Sequence, residues 1–286
     1  MGTSQSSNGS PSGVPMVPPW VPDIPPTAPS SEAVPPDNEQ QEAAPVQSEP
    51  GRPEPRQPIP VAPRGRFGGA NRNLGEYAHS GDRDSMKRGI GQYVKKGYGG
   101  SATATRRLGG TAQTAQALYS ALSSGSGNPY TAPGNPLDPV LISGRSADAV
   151  MDAVVEAIRP IDGTQDTEAS RTAIKNALSD VLEQYPDADL LNMQEVHRNL
   201  AIERYVARDV FLRFDLDLGK TIIDKSPNAI EGMGRLKEIF EYIQETVSAS
   251  FRQLRNDGRQ LASGLITQIV QSALQESFHV FEGYAE

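Results

Sequence analysis

The chain of 286 residues contains no cysteine and carries a formal net charge of −8 at pH 7. This composition excludes a disulfide framework, a thiolate metal site and a cysteine nucleophile, while the length allows one substantial domain, or two small ones, plus a tail. There is no run of about 18 apolar residues to span a membrane and no apolar N-terminal core to mark a secretory signal, so the expected location is cytoplasmic. The charge is uneven: residues 1–60 carry −5, residues 61–110 carry +7 and residues 111–286 carry −10.

Residues 1–63 hold 17 of the 24 prolines. Proline fixes φ and favours an extended polyproline path. An acidic, Pro-rich segment with few apolar residues cannot bury enough surface to offset its ordering entropy. A long disordered arm is therefore expected. It includes the chain's single tryptophan, Trp20, beside Val17, Pro18 and Pro19. Either Trp20 sits in a floppy leader by chance, or these four residues form an apolar anchor that another protein grips.

The terminus carries chemistry of its own. Gly2 follows Met1, and removal of Met1 would leave a glycine amine with a pKa of about 7.7–8, so an appreciable fraction is neutral and nucleophilic near neutral pH. Gly2 has no Cβ, and Thr3, Ser4, Gln5, Ser6 and Ser7 are unbranched or small, which lets this end thread into a narrow active site. Ser6 also completes a short M-G-x-x-x-[ST] myristoylation pattern.

Residues 64–127 form a basic, Gly/Arg-rich segment. The spacing predicts a loop to about residue 80 and then a helix over 82–96, capped by Ser80 or Asp82 and ended by Gly97. A second helix is predicted over 101–122. The intervening GYGGS reads as a tight turn and lacks the residues of a phosphate-binding P-loop. Arg83, Lys87, Arg88, Lys95, Lys96, Arg106 and Arg107 are candidate contacts to a protein partner or to nucleic acid. Tyr77, Tyr93 and Tyr98 are candidates for base stacking.

Residues 123–143 read as a Gly/Pro/Ser connection and a hinge. From 144 to 286 apolar residues recur at helical spacing. Helices are predicted over 146–158, 167–185, 188–212, 228–256 and 258–281, with residues 211–218 (FLRFDLDL) alternating as one short strand would. His79, His197 and His279 form no metal-ligand spacing. Asp209, Asp215 and Asp217 near Lys220 read as a solvated face more readily than as a magnesium site. No nucleophile, base and oxyanion set assembles, so neither a catalytic residue, a metal nor a cofactor is expected. The fold class is mostly α, a bundle-like helical body behind the disordered arm.

Residues 1–20 (MGTSQSSNGSPSGVPMVPPW) resemble the QatB family of bacterial Qat anti-phage defence systems. The blocks 80–83 (SGDR), 93–101 (YVKKGYGGS) and 105–109 (TRRLG), within 64–110, carry the same resemblance, which covers about a quarter of the chain. The resemblance implies three partners: an ATPase, a TatD-like nuclease and a QueC-like protein similar to 7-cyano-7-deazaguanine synthases. Enzymes of that last type use ATP to activate a deazaguanine carboxylate for attack by an amine. The role this implies is that of a non-catalytic substrate conjugated at Gly2, with Thr3, Ser4, Val17, Pro18, Pro19 and Trp20 in the partner's grip. The alternatives are an unmodified scaffold linking the ATPase and nuclease, and a nucleic-acid-binding adaptor working through residues 64–110.

Overall fold

A computed structural model describes residues 65–123, 128–259, 261–262 and 264–286. The Pro-rich arm of residues 1–63 lies outside the described residues. The protein is mostly α-helical, and among the described residues there is no strand.

The first helix stands where the sequence suggests a loop. In α1 (Gly68–Ser80), Ala70, Leu74, Tyr77 and Ala78 are buried. Their spacing of four, three and one is a helical stripe, thinned at sequence level by the glycines and polar residues between them. Gly81 closes α1 in the left-handed conformation, with φ 78°, which glycine adopts without strain. The next residue, Asp82, caps α2 (Arg83–Gln92), its carboxylate accepting the N–H groups of Asp84 and Ser85.

The predicted helix over 82–96 is not uniform. After Gln92 the backbone widens into a π-helical turn, Tyr93–Tyr98, and Gly99 ends it with φ 85°. The predicted helix over 101–122 is two helices, α3 (Ser101–Arg107) and α4 (Gly109–Ala121). The break falls at Leu108, whose φ of −90° and ψ of 19° leave the helical path just before Gly109 and Gly110. After α4, Asn128 donates its amide to the carbonyls of Ser120 and Ser123, and Asp138 caps the short α5 (Pro139–Ile142).

The remaining helices follow the predicted periods more closely. Ser146 caps α6 (Ala147–Ile158) and Thr164 caps α7 (Gln165–Gln184). α8 (Glu195–Phe214) starts later than the predicted 188, because residues 188–194 form turns that bury Leu190 and Met193. The FLRFDLDL stretch is no strand: α8 runs through Phe214 into a second π-helical turn, Asp215–Gly219, and then α9 (Lys220–Lys225). Val210, Phe214 and Leu218 recur every four residues and are all buried; that helical stripe outweighs the local alternation. Asn228 caps α10 (Ala229–Asn256), which at 28 residues is about 42 Å long. α11 is Ile266–Glu282, shorter than the predicted 258–281 because Gly258 turns the chain at φ 77°.

All the described residues belong to one compact unit, Pro60–Glu286. α7 packs along α8, and α8 packs on α4 and α10. α11 lies against α3, α4 and α10, and α1 sits on α2 and α9. Helices from the basic segment and from the C-terminal part therefore share one core, with Leu74, Ile90, Leu118, Ile174, Tyr205, Ile243, Phe251 and Leu274 all closed to solvent.

Candidate functional site

The basic segment divides into two surfaces. On α2, Arg83 is exposed and Arg88 is committed locally: it donates to the Ser85 hydroxyl at 2.8 Å and pairs with Asp82 at 3.6 Å. Lys87 lies over two rings, 5.9 Å from that of Tyr242 and 5.1 Å from that of Tyr284. Arg83, Met86 and Lys87 form one wall of a cleft of about 290 Å³, and Glu238, Glu241, Tyr242 and Glu245 of α10 form the other. These α2 cations thus face the protein's own carboxylates. Burial lifts the Tyr242 phenol to about 12.

The second surface is built on the π-helical turn and α3. Lys95 and Lys96 are exposed, whereas Tyr93, Val94 and Gly97 are buried. Gly97 is required by the close approach of Phe67, because a Cβ there would overlap the ring. Phe67 stacks on Tyr93 at 5.3 Å, and Tyr98 meets Tyr93 edge-on at 5.0 Å. Both tyrosine hydroxyls donate to Asp217 in the second π-helical turn, at 3.0 and 3.1 Å. Burial, reinforced by the Tyr98 and Asp217 contacts, pushes the Tyr93 phenol well up. Two wide turns, 119 residues apart at Tyr98 and Asp217, are thereby pinned together.

Cations from separate segments converge on this aromatic group. The Arg66 guanidinium lies 4.4 Å over Phe67 and 5.6 Å from Tyr98, and Arg107 of α3 approaches Tyr98 at 5.8 Å. Arg106 and Arg107 are exposed at the end of α3. At its start, the Ser101 N–H donates to the Glu282 carboxylate at 3.0 Å. That bond, with the Ser101 hydroxyl, holds the Glu282 carboxyl below its usual range.

Two of the three tyrosines expected to stack on bases are closed to solvent. Tyr77 is buried and donates to Glu238 at 2.9 Å, Tyr93 is buried, and half-buried Tyr98 has the Arg66 and Arg107 guanidinium groups 5.6 and 5.8 Å from its ring. The three aspartates weighed for magnesium also diverge. Asp209 is fully buried, accepting from Thr111 at 2.5 Å and from Arg213 at 3.2 Å. Burial raises the Asp215 carboxyl, Asp217 serves the tyrosines, and Lys220 pairs with Asp224. His79 and His279 are exposed on α1 and α11, while His197 packs 4.3 Å from Tyr185. Among the described residues, no group of three or more His, Cys, Asp or Glu stands ready to hold a metal.

Sequence patterns alone did not single out Arg66, Phe67 or the pairing role of Asp217. In the sequence Tyr93 and Tyr98 read as base-stacking candidates and Gly97 as a helix end, and nothing there joins them to residue 217. Gly2, Thr3, Ser4, Val17, Pro18, Pro19 and Trp20 lie outside the described residues. No helix among the described residues is long and apolar enough to cross a membrane.

The part of the helical body that runs from the GYGGS turn to the C-terminal helix matches a family model. The Qat anti-phage system associated protein QatB matches over residues 99–281, from Gly99 at that turn to Phe281 near the end of α11. The protein is therefore a component of an anti-phage defence system. It belongs to the QatB family, and membership of the Qat system implies other components of that system as partners. No curated protein and no solved structure matches the chain.

Proposed function

We propose that this chain is a non-catalytic member of its defence system and the protein substrate of a QueC-like synthetase partner, conjugated at Gly2 after removal of Met1. The observation that carries the reading is the terminus itself: a glycine with no Cβ, followed by Thr3 and Ser4, at the head of a QatB-family chain. ATP activates the carboxylate of a 7-deazaguanine. The glycine nitrogen attacks the carbonyl carbon, the activating group leaves with its bonding electrons, and the nitrogen gives up a proton to complete an amide. Val17, Pro18, Pro19 and Trp20 act as the docking anchor, and the helical body carries the modified terminus to the ATPase or the TatD-like nuclease.

A second reading, an unmodified adaptor joining those two components, is favoured by Ile230 and Met233, large apolar side chains exposed about one turn apart on α10. Adjoining exposed apolar side chains are of the kind that mark protein contacts.

The test is intact-mass and N-terminal peptide mass spectrometry of protein purified with and without its neighbouring genes. A partner-dependent adduct on the Gly2 amine is expected, reduced in Trp20→Ala through weaker capture. An unmodified Gly2 in both preparations would leave the adaptor reading in its place, and a fatty-acyl mass would replace both with membrane anchoring. Full modification of Trp20→Ala would remove the docking role alone.

A further inference from the structure

We infer that the surface formed by the first π-helical turn and α3 binds the phosphodiester backbone of a nucleic acid without reading its sequence. Three observations converge on it. The first is the state of the cations. Among the described residues, eight of the fifteen Lys and Arg residues in 111–286 form ion pairs. In 65–110, Arg88 is the one residue of nine to do so among the described residues. The chain has a surplus of carboxylates, yet Lys95, Lys96, Arg106 and Arg107 stand exposed with no carboxylate within ion-pair distance among the described residues.

The second observation is convergence. The Gly99–Gly100 turn, both residues with positive φ, folds α3 back beside the π-helical turn. Arg107 and Arg66 then meet at Tyr98, two and three residues from the exposed Lys96 and Lys95. The carboxylates at this surface already have donors: Asp217 takes two phenols, and Glu282 takes the Ser101 N–H and feels Lys95 only from beyond ion-pair distance. The positive charge is left to a partner.

The third observation selects the partner. Protein interfaces are centred on apolar and aromatic side chains, whereas contacts to nucleic acid are more polar and far more basic. None of the large apolar side chains exposed on the body lies within 65–110; Leu216, next to Asp217, only flanks this surface. With Tyr77 and Tyr93 buried, and Tyr98 already engaged by Asp217 and by two guanidinium groups, recognition rests on phosphate charge. This inference stands apart from conjugation at Gly2.

Fluorescence anisotropy of the full chain with short labelled duplex DNA, single-stranded DNA and single-stranded RNA tests it. Four phosphate contacts predict that affinity for the duplex falls about 100-fold between 50 and 200 mM salt. The variant carrying Lys95→Gln, Lys96→Gln, Arg106→Gln and Arg107→Gln should lose that salt dependence, while Arg83→Gln with Lys87→Gln keeps it. Should the fourfold variant fail to fold, the two pairs made separately should each remove about half of the salt slope. The three probes identify which backbone is held. Absent or salt-insensitive binding overturns the inference, as does binding retained by the fourfold variant. Polyglutamate bound in place of all three nucleic acids also overturns it and assigns the surface to an acidic protein.

Discussion

Gly91 tests the packing that positions the basic face. It lies near the end of α2, where the C-terminal residues cross over the helix. A Cβ added to Gly91 would sit 2.7 Å from the Ala285 nitrogen and 2.8 Å from both the Phe281 oxygen and the Tyr284 carbon. All three are backbone atoms, so no rotamer change relieves the clash. The neighbouring Gln92 amide donates to the Ala285 carbonyl and fixes the same contact. Overpacking of this kind costs about 1–3 kcal/mol, and the better helix propensity of alanine returns about 1 kcal/mol. Gly91→Ala should therefore destabilise by a net ~0–2 kcal/mol, which in a body of this size lowers Tm by up to about 8 °C. Gly234 is the internal control: it lies within α10 with nothing inside 4 Å of its added Cβ, so Gly234→Ala should gain about 0.5–1 kcal/mol. Thermal denaturation followed by circular dichroism reads both. Equal stabilisation by the two substitutions would show that the C-terminus does not seat on α2, and the reasoning would fail.

Two further outcomes rest on the buried and capping carboxylates. Asp209 is fully buried and accepts from Thr111 and Arg213, and Arg213 keeps Asp166 at 3.1 Å as a second partner. Asp209→Asn should thus cost about 1–3 kcal/mol in urea denaturation, less than a buried pair losing its sole counter-charge; an unchanged midpoint would contradict the network. The folded-state pKa of Glu282 is depressed, so its contribution is full above the ordinary glutamate range near ~4.3 and fades as pH falls below it. Glu282→Gln should consequently be less stable than the parent at neutral pH and match it in acid, and a difference that persists into acid would count against the Ser101 contact.

Much of the helical body was legible because its apolar stripes are long and its caps conventional. Ser146, Thr164 and Asn228 each accept an N–H at the start of a helix, and α10 buries Ile239, Ile243, Val247, Phe251 and Leu254 along one face. Failure came where glycine carried information that composition reads as looseness. The glycines in and around α1 suggested a loop, yet Gly89 lies against Leu74, whose Cγ would be 2.5 Å from an added Cβ. That glycine lets α1 and α2 approach closely. The π-helical turns were illegible for another reason. Each inserts one residue into a helical period and shifts the face presented after it, so Tyr98 and Asp217 meet through tertiary packing that no local window contains.

Charge is the level at which sequence and structure join. Some ion pairs of the body stay within one helix, but others run between helices: Arg171 to Glu156 and Lys175 to Asp152 link α7 to α6, Arg208 to Asp180 links α8 to α7, and Arg255 to Glu203 links α10 to α8. Several of these side chains are well exposed, and such surface pairs contribute little each, about 0–1 kcal/mol. Stability therefore comes from the apolar core, and what the pairs fix is which helix lies beside which. That use of charge consumes many of the cations of residues 144–286 within the fold. The cations of the π-helical turn and α3 take no part in it, although a net-acidic chain offers ample carboxylates. A surface kept basic while its own chain could neutralise it is arranged for something outside the chain, and the salt dependence of binding is the quantity that tells whether that partner carries phosphate.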